Sequence, residues 1–302
     1  MTAEREHRPA WRGIYPAALT MFDRRGRLDE TATAKHLERL VAAGADGLVV
    51  GGTSGEFIAL EPEERRRVIK VAVETVAGRV AVIAGTGFFA TAQTVELTRQ
   101  AEALGADGAI VILPYYQRPS HDEVIRHFEV VGAASGLPLL AYNNPANSAA
   151  PALSPADLGR LHRAGVIAGV KSTFPTVNEI HELRAAADAG FRAFYGSFMA
   201  PLEGLAGGAD GWISGILNVV TPEAKQLAAA IERSDLAAAR AAWTKILPIK
   251  LLYTERRLGP CSDLSIYRAI LDARGDHGGW SRPPTLPLTP SQRRKLEALM
   301  AD

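Results

Sequence analysis

The chain has 302 residues, 47% hydrophobic and 22% charged, with a formal net charge of +1. This is ordinary globular composition, and the near-neutral balance excludes the electrostatic footprint of a nucleic-acid or membrane-surface binder. One cysteine, Cys261, excludes an internal disulfide framework and fits a reducing compartment. The first dozen residues contain no apolar run of the signal-peptide kind, and no stretch is long and apolar enough for a membrane helix, so a cytoplasmic protein is expected.

In chain order, short apolar runs alternate with amphipathic segments. Strands are expected to start near Tyr15, Gly47, Val80, Gly108, Leu137, Val166, Phe191 and Gly211. Amphipathic helices are expected over 30–43, 62–77, 91–104, 121–134 and 176–189. Three of the strands are introduced by the same four residues, Gly-Ala-Asp-Gly, at 44–47, 105–108 and 208–211. The first glycine suits a left-handed helix cap, and the second is expected to ease the tight turn into the strand. Weaker versions stand at Ala164-Gly165 and Ala189-Gly190.

Runs apolar throughout read as strands buried on both faces, and parallel strands need crossover helices. Eight such units predict an α/β fold, a (β/α)8 TIM barrel. A doubly wound open sheet has fewer strands and a glycine-rich phosphate loop after the first, which Thr20-Met21-Phe22-Asp23 is not. After the eighth strand the alternation stops. Segments 221–233, 235–257 and 264–274 read as helices, and a last one starts near Thr289. The expected division is a barrel over 1–233 and a C-terminal helical extension over 234–302.

In such a barrel the active site lies at the C-terminal ends of the strands. Those ends carry Gly51-Gly52-Thr53-Ser54-Gly55-Glu56, Gly85-Thr86-Gly87, Pro114-Tyr115-Tyr116, Tyr142-Asn143-Asn144-Pro145, Lys171, Gly196-Ser197 and Ser214-Gly215. Lys171 is the anomaly, a cation closing the apolar run Val166–Val170. A lysine at a strand end commonly snorkels into solvent. On the catalytic face, an amine among apolar walls becomes a nucleophile. Tyr142 ends the neighbouring strand, where a phenol could relay the protons that imine formation needs, or simply pack in the barrel mouth. The loop at 51–56 offers successive N–H groups and two hydroxyls to a carboxylate, or is a tight turn that caps the next helix. It has neither the spacing of a nucleophile elbow nor the Gly-Lys pair of a P-loop. The seven histidines show no metal-ligand spacing, so no metal is expected.

Six motifs in order resemble the dihydrodipicolinate synthase / N-acetylneuraminate lyase family of pyruvate-dependent Schiff-base aldolases. They are G-T-S-G-E at 52–56, A-G-T-G at 84–87, P-Y-Y-x-R-P at 114–119, Y-N-x-P at 142–145, G-V-K at 169–171 and A-D-G-x-I-S-G-x-x-N at 209–218. The likeness runs from Gly13 to about Leu271. It implies a lyase that needs no cofactor beyond a covalent imine between Lys171 and pyruvate, with Tyr142 as acid and base. It implies that Thr53 links Tyr142 to a tyrosine given by a neighbouring subunit, here Tyr116. Thr53 and Ser54 would bind the pyruvate carboxylate, while Gly196 and the carbonyl of Ile213 shape the pocket floor. Glu56 reads as structural. The partners implied are a 2-oxo acid, an aldehyde and the chain itself, commonly as a homotetramer built from two dimers.

Three departures bear on the substrate. Asn147 stands where synthases carry an arginine for the second carboxylate, so aspartate semialdehyde is not the expected acceptor. After Gly196 come Ser197, Phe198 and Met199, where sialic acid lyases hold sugar hydroxyls with acidic residues. Phe88 and Phe89 follow Gly87, either as filler or interface or as walls for a less polar acceptor. Asn147 and Phe198 are thus placed on the acceptor side. Met21 stands where a Thr-Pro pair is usual. Against the aldolase stand a 2-oxo-3-deoxy sugar acid dehydratase using the same imine, dihydrodipicolinate synthase proper, and a non-catalytic 2-oxo acid binder. The last predicts loss of Lys171, Tyr142, Thr53 or Tyr116, and none is lost.

Overall fold

The computed structural model describes residues 11–188 and 190–301. The strands are β1 Gly13–Pro16, β2 Gly47–Val50, β3 Ala81–Gly85, β4 Gly108–Ile112, β5 Leu139–Asn143, β6 Gly169–Ser172, β7 Arg192–Tyr195 and β8 Gly211–Ser214. Between and after them run α1 Glu30–Ala42, α2 Pro62–Val76, α3 Thr91–Ala103, α4 His121–Ala133, α5 Pro155–Arg163, α6 Asn178–Ala186, α7 Pro201–Ala206 and α8 Leu217–Glu232. The strands form one sheet in the order β1-β8-β7-β6-β5-β4-β3-β2. With the alternating helices this is the (β/α)8 barrel that the sequence predicts. A C-terminal extension follows, α9 Leu236–Thr254, α10 Asp263–Ala273 and α11 Pro290–Ala301.

Several boundaries differ from expectation by two to four residues, among them those of β6, α6 and α8. β6 starts at Gly169 because Val166 N–H is still bound to Leu161 O at 2.9 Å and Ile167 O is held by His162 Nδ1 at 3.0 Å. α6 is shorter than 176–189, and Ala189 of the weak repeat lies outside the described residues. α8 begins at Leu217, four residues before the expected 221, and runs through a break at Val220 (φ −134°, ψ 24°) just before Pro222. Proline has no N–H for the carbonyl four residues back. That carbonyl, Asn218 O, instead accepts from Arg39 at 2.6 Å.

The described chain comprises two compact units, residues 11–13 with Ala81–Ile213, and Ile14–Val80 with residues 214–301. In the first, β3 to β8 form a continuous parallel ladder. Phe128, Phe191, Phe194, Tyr195 and Trp212 are fully buried within it. In the second, β1 and β2 meet through a parallel bridge between Ala17 and Val49.

The Gly-Ala-Asp-Gly repeat does the same work each time. Its first glycine takes positive φ (92°, 85° and 100° at Gly44, Gly105 and Gly208). The alanine N–H then reaches back to Leu40, Ala101 or Gly204 at 3.0–3.2 Å, closing a Schellman cap. The aspartate binds one residue of a neighbouring strand twice. Asp46 N–H and carboxylate pair with Ile14 O and N–H, Asp107 with Val82, and Asp210 with Ala193, all at 2.7–2.9 Å. The second glycine serves close packing rather than the turn. A Cβ on Gly108 would lie 2.2 Å from the Trp11 ring, and one on Gly47 would lie 2.0 Å from Tyr15.

In the second unit the extension is tied to the loop that holds Glu56. Glu56 sits at φ 56° with its carboxylate buried. Oε1 accepts from Arg268 at 2.6 Å and Oε2 from the Arg282 N–H at 2.9 Å. Arg268 also donates to Thr20 O at 2.8 Å and rests against Met21 Sδ at 3.4 Å, which accounts for methionine at that position. Asn218 is fully buried and fully used. It donates to Ala17 O and Gly215 O and accepts from Leu19 N–H and His36 Nε2.

Asp210 differs from the other two repeat aspartates in being ringed by Arg12, Arg184 and Arg192, with only 4% of its side chain exposed. Asp210→Ala loses the Ala193 N–H partner and leaves the part-buried Arg184 and Arg192 without their carboxylate, and is expected to cost about 2–3 kcal/mol. Asp107→Ala loses one backbone partner and is expected to cost about 1 kcal/mol. Urea unfolding of the two variants checks the ranking, and equal losses would refute it.

Burial keeps two imidazoles neutral, pushing His36 down to about 3 and His127 to about 4. Below pH 6.5 the unfolded chain takes up protons that the folded chain refuses. Their contribution is therefore full above about pH 6.5 and declines as pH falls, by roughly 1.4 kcal/mol per unit for each histidine. His127→Gln should flatten the fall in unfolding free energy between about pH 6 and pH 4.5. An unchanged slope would remove His127 as its source.

Candidate active site

The first unit brings Lys171 and Tyr142 together. Parallel pairing sets Tyr142 of β5 opposite Lys171 of β6, and Lys171 opposite Phe194 of β7. In-register neighbours share a face of the sheet, so the row Ile112, Tyr142, Lys171, Phe194 runs across four strands. Tyr142 and Phe194, on either side of the lysine in this row, are both buried. Lys171 is itself only 6% exposed, and its Nζ lies 3.8 Å from the centroid of the Tyr142 ring. The lysine does not snorkel.

Gly196 stands beside this pair for a steric reason. A Cβ there would lie 1.9 Å from Thr173 Oγ1 and 3.0 Å from Lys171 Cγ. Its N–H binds Ser172 O at 2.7 Å, continuing the β6–β7 ladder. Ile213 is fully buried in β8.

Two polar groups that the sequence reading passed over also lie here. Asn144 Nδ2 donates to the Tyr142 hydroxyl at 2.9 Å, while its Oδ1 is buried and has no hydrogen-bond partner among the described residues. Thr173 Oγ1 is likewise buried and unpartnered. Thr173 could have been found, because strand alternation puts residues 171 and 173 on one face. Asn144 occupies the free position of Y-N-x-P, and no spacing rule marks it. Asn143, the fixed residue of that motif, is structural, exchanging two hydrogen bonds with the Leu153 backbone at 2.9 and 3.1 Å.

The remaining expected residues are more open. Asn147 is exposed on the loop after β5, its N–H bound to Asn144 O at 3.2 Å. Phe198 is half-buried and Met199 exposed, after Ser197, whose carbonyl accepts from Trp212 Nε1 at 2.9 Å. Tyr116 is 90% exposed at φ 79°, a backbone region unfavourable for any side chain but glycine. Beside it Phe88, Phe89 and Tyr115 form a cluster with centroids 4.4 to 6.4 Å apart, of which Phe89 is exposed.

In the second unit Ser54 is buried and Thr53 is exposed. Gly215 is required next to Ser54, since a Cβ there would lie 2.5 Å from its Oγ. The loop is pinned by Thr20 Oγ1, which donates to Gly55 O at 2.8 Å, and by the Glu56 pairs already described. Among the described residues no group of three His, Cys, Asp or Glu side chains is placed to hold a metal ion. No described helix is long and apolar enough to cross a membrane.

The model of the dihydrodipicolinate synthetase family matches residues 10–302. The 4-hydroxy-tetrahydrodipicolinate synthase of Acidiphilium cryptum is 34% identical over 289 residues, 95% of this chain and 97% of that one. That of Rhodopseudomonas palustris is 35% identical over 241 residues, 80% and 81% of the two chains. The dihydrodipicolinate synthase of Aquifex aeolicus superposes with a TM-score of 0.88 at 30% identity, covering 96% of this chain and 97% of its own. YagE, a prophage protein of E. coli crystallised with pyruvate, superposes with a TM-score of 0.89 at 30% identity, covering 96% and 98%. The chain belongs to the dihydrodipicolinate synthetase family, and with it to the pyruvate-dependent lyases of the aldolase type.

Proposed function

We propose that this chain forms or cleaves a carbon–carbon bond between pyruvate and an aldehyde through an imine on Lys171. The observation that carries the reading is the enclosed amine of Lys171 over the Tyr142 ring, at the ends of paired strands. The amine attacks C2 of pyruvate, and loss of water leaves a cationic imine. That cation withdraws electrons from C3, so a C3 proton is removed and an enamine forms without metal or organic cofactor. The enamine then attacks the aldehyde, whose oxygen is protonated; cleavage is the reverse. Tyr142 is the proposed acid and base. Thr53 and Ser54 are proposed to hold the pyruvate carboxylate, and Gly196 and Ile213 to shape the floor.

The relatives are named for making a dicarboxylate, but Asn147 offers no charge for a second carboxylate. Ser197, Phe198 and Met199 do not suit a sialic acid. The acceptor proposed is an uncharged or weakly polar aldehyde, with Phe198 and Asn147 on its side of the site. Among the described residues Thr173 Oγ1 and Asn144 Oδ1 have no partners, and such atoms suit substrate hydroxyls. That favours a second reading, a 2-oxo-3-deoxy sugar acid dehydratase using the same imine. Exposed Tyr116 and Phe89 support self-association, with Tyr116 given to a neighbouring copy's relay, as in a dimer of dimers.

Pyruvate with borohydride, followed by peptide mass spectrometry, should place one reduced adduct on Lys171 and none in Lys171→Met. An adduct elsewhere, or none, would sink the mechanism. Pyruvate consumption across a panel of aldehydes then ranks acceptors; aspartate semialdehyde as the best would overturn the reading of Asn147.

Tyr116→Phe should lower turnover about tenfold or more while leaving the fold intact by circular dichroism. Unchanged turnover would remove Tyr116 from the relay.

A further inference from the structure

Asn144 is a buried amide with one end committed and one end idle. The residue is 2% exposed; Nδ2 donates to the Tyr142 hydroxyl at 2.9 Å, and Oδ1 has no partner among the described residues. Its backbone carbonyl is fully used, accepting from Ser148 Oγ and from the Asn147 N–H. An enclosed acceptor without a donor is unfavourable, and an apolar residue of similar size would avoid that penalty. The idle Oδ1 therefore marks where a donor arrives with the substrate, next to the phenol that Nδ2 already holds.

On the imine reading above, one species brings a hydroxyl to this place. Attack of Lys171 Nζ on C2 of pyruvate gives a carbinolamine, a tetrahedral carbon bearing one O–H. We infer that Asn144 serves both ends of the proton transfer that dehydrates it. The C2 hydroxyl donates its hydrogen to Asn144 Oδ1, which turns an oxygen lone pair toward Tyr142. Tyr142 gives its proton to that oxygen, the C2–O bond breaks, and water leaves. The Nζ lone pair forms the C=N bond. A neutral carbinolamine and a phenol become a cationic imine, water and a phenolate. Asn144 Nδ2 is then donating to the new phenolate, where charge has developed.

The test reads the rate of imine formation rather than turnover. Enzyme and pyruvate are mixed, trapped with borohydride at timed intervals, and the Lys171 peptide is quantified. Asn144→Leu removes both amide functions; the nearly isosteric Asn144→Asp keeps an acceptor and loses the donor. With Tyr142 intact, each should slow trapping about tenfold or more. The alkaline limb of the rate–pH profile should move up by about half a unit or more, because a phenolate without its donor is harder to form. In the Tyr142→Phe background the same substitutions should change the rate by less than about twofold, since their effect runs through the phenol. Equal losses in both backgrounds, or a loss without a shift of the profile, would overturn the inference and leave Asn144 a packing residue. Failure of the imine reading is separate, because the unaltered enzyme would then give no Lys171 adduct at all.

Discussion

The placement of Lys171 beside Tyr142 depends on register. In a parallel pair the side-chain period is two, so a slip of one residue between β5 and β6 would turn Lys171 to the other face of the sheet. The observed pairing of Tyr142 with Lys171 continues through Ile112 on one side and Phe194 on the other. A lysine in that row cannot reach solvent by extending its stem, since the row is buried along its length. Its amine lies instead against an aromatic face, where the ring's negative quadrupole tolerates a cation better than an aliphatic wall would. The same register puts Thr173 two residues on, on the same face, and makes Gly196 obligatory where any side chain would occupy the space of Thr173 and the lysine stem.

Register of that kind needs strands with fixed ends. The repeat aspartates supply part of this, because each grips both backbone groups of a single residue on a neighbouring strand. A residue held at both N–H and carbonyl cannot slide without losing two hydrogen bonds at once. The second unit uses charge for a similar end. Glu56 sits in a left-handed conformation and is clamped by Arg268 from α10 and by the Arg282 backbone. A buried ion pair of this sort contributes little net stability, yet loss of one partner leaves the other uncompensated. It specifies a loop conformation more than it stabilises the fold. The loop so specified carries Ser54 and Thr53.

Much of this was legible in the sequence, for a physical reason. Strands buried on both faces read as unbroken apolar runs, and three of them are announced by one four-residue phrase, so their starts were found at Gly47, Gly108 and Gly211. Lys171 stood out because a cation ends such a run. What escaped the reading depends on partners far along the chain. The second glycine of the repeat looked like turn chemistry, but its requirement comes from Tyr15 or Trp11, tens of residues away. Met21 had no explanation until Arg268 was seen against its sulfur. The early start of α8 depends on Arg39 capping a carbonyl that Pro222 leaves open. Thr173 was within reach by counting in twos from Lys171, whereas Asn144 was not, because a motif's free position says nothing about contacts.

On the proposed reading, the polar groups beside Tyr142 and Lys171 bear on the choice of acceptor. An acidic aldehyde would, on that reading, carry a second carboxylate to a strand row that includes the buried Ile112 and Phe194. Without a guanidinium at position 147 to pair with it, that charge would lose hydration and gain nothing in return. A hydroxyl faces no such barrier, because Thr173 Oγ1 is buried and, among the described residues, without a partner. A site that leaves polar groups waiting discriminates strongly in favour of ligands that complete them, more strongly than an apolar pocket rejects an extra methylene. On the proposed reading, selection among acceptors turns on hydrogen bonding beside the reacting carbon rather than on a distant charge.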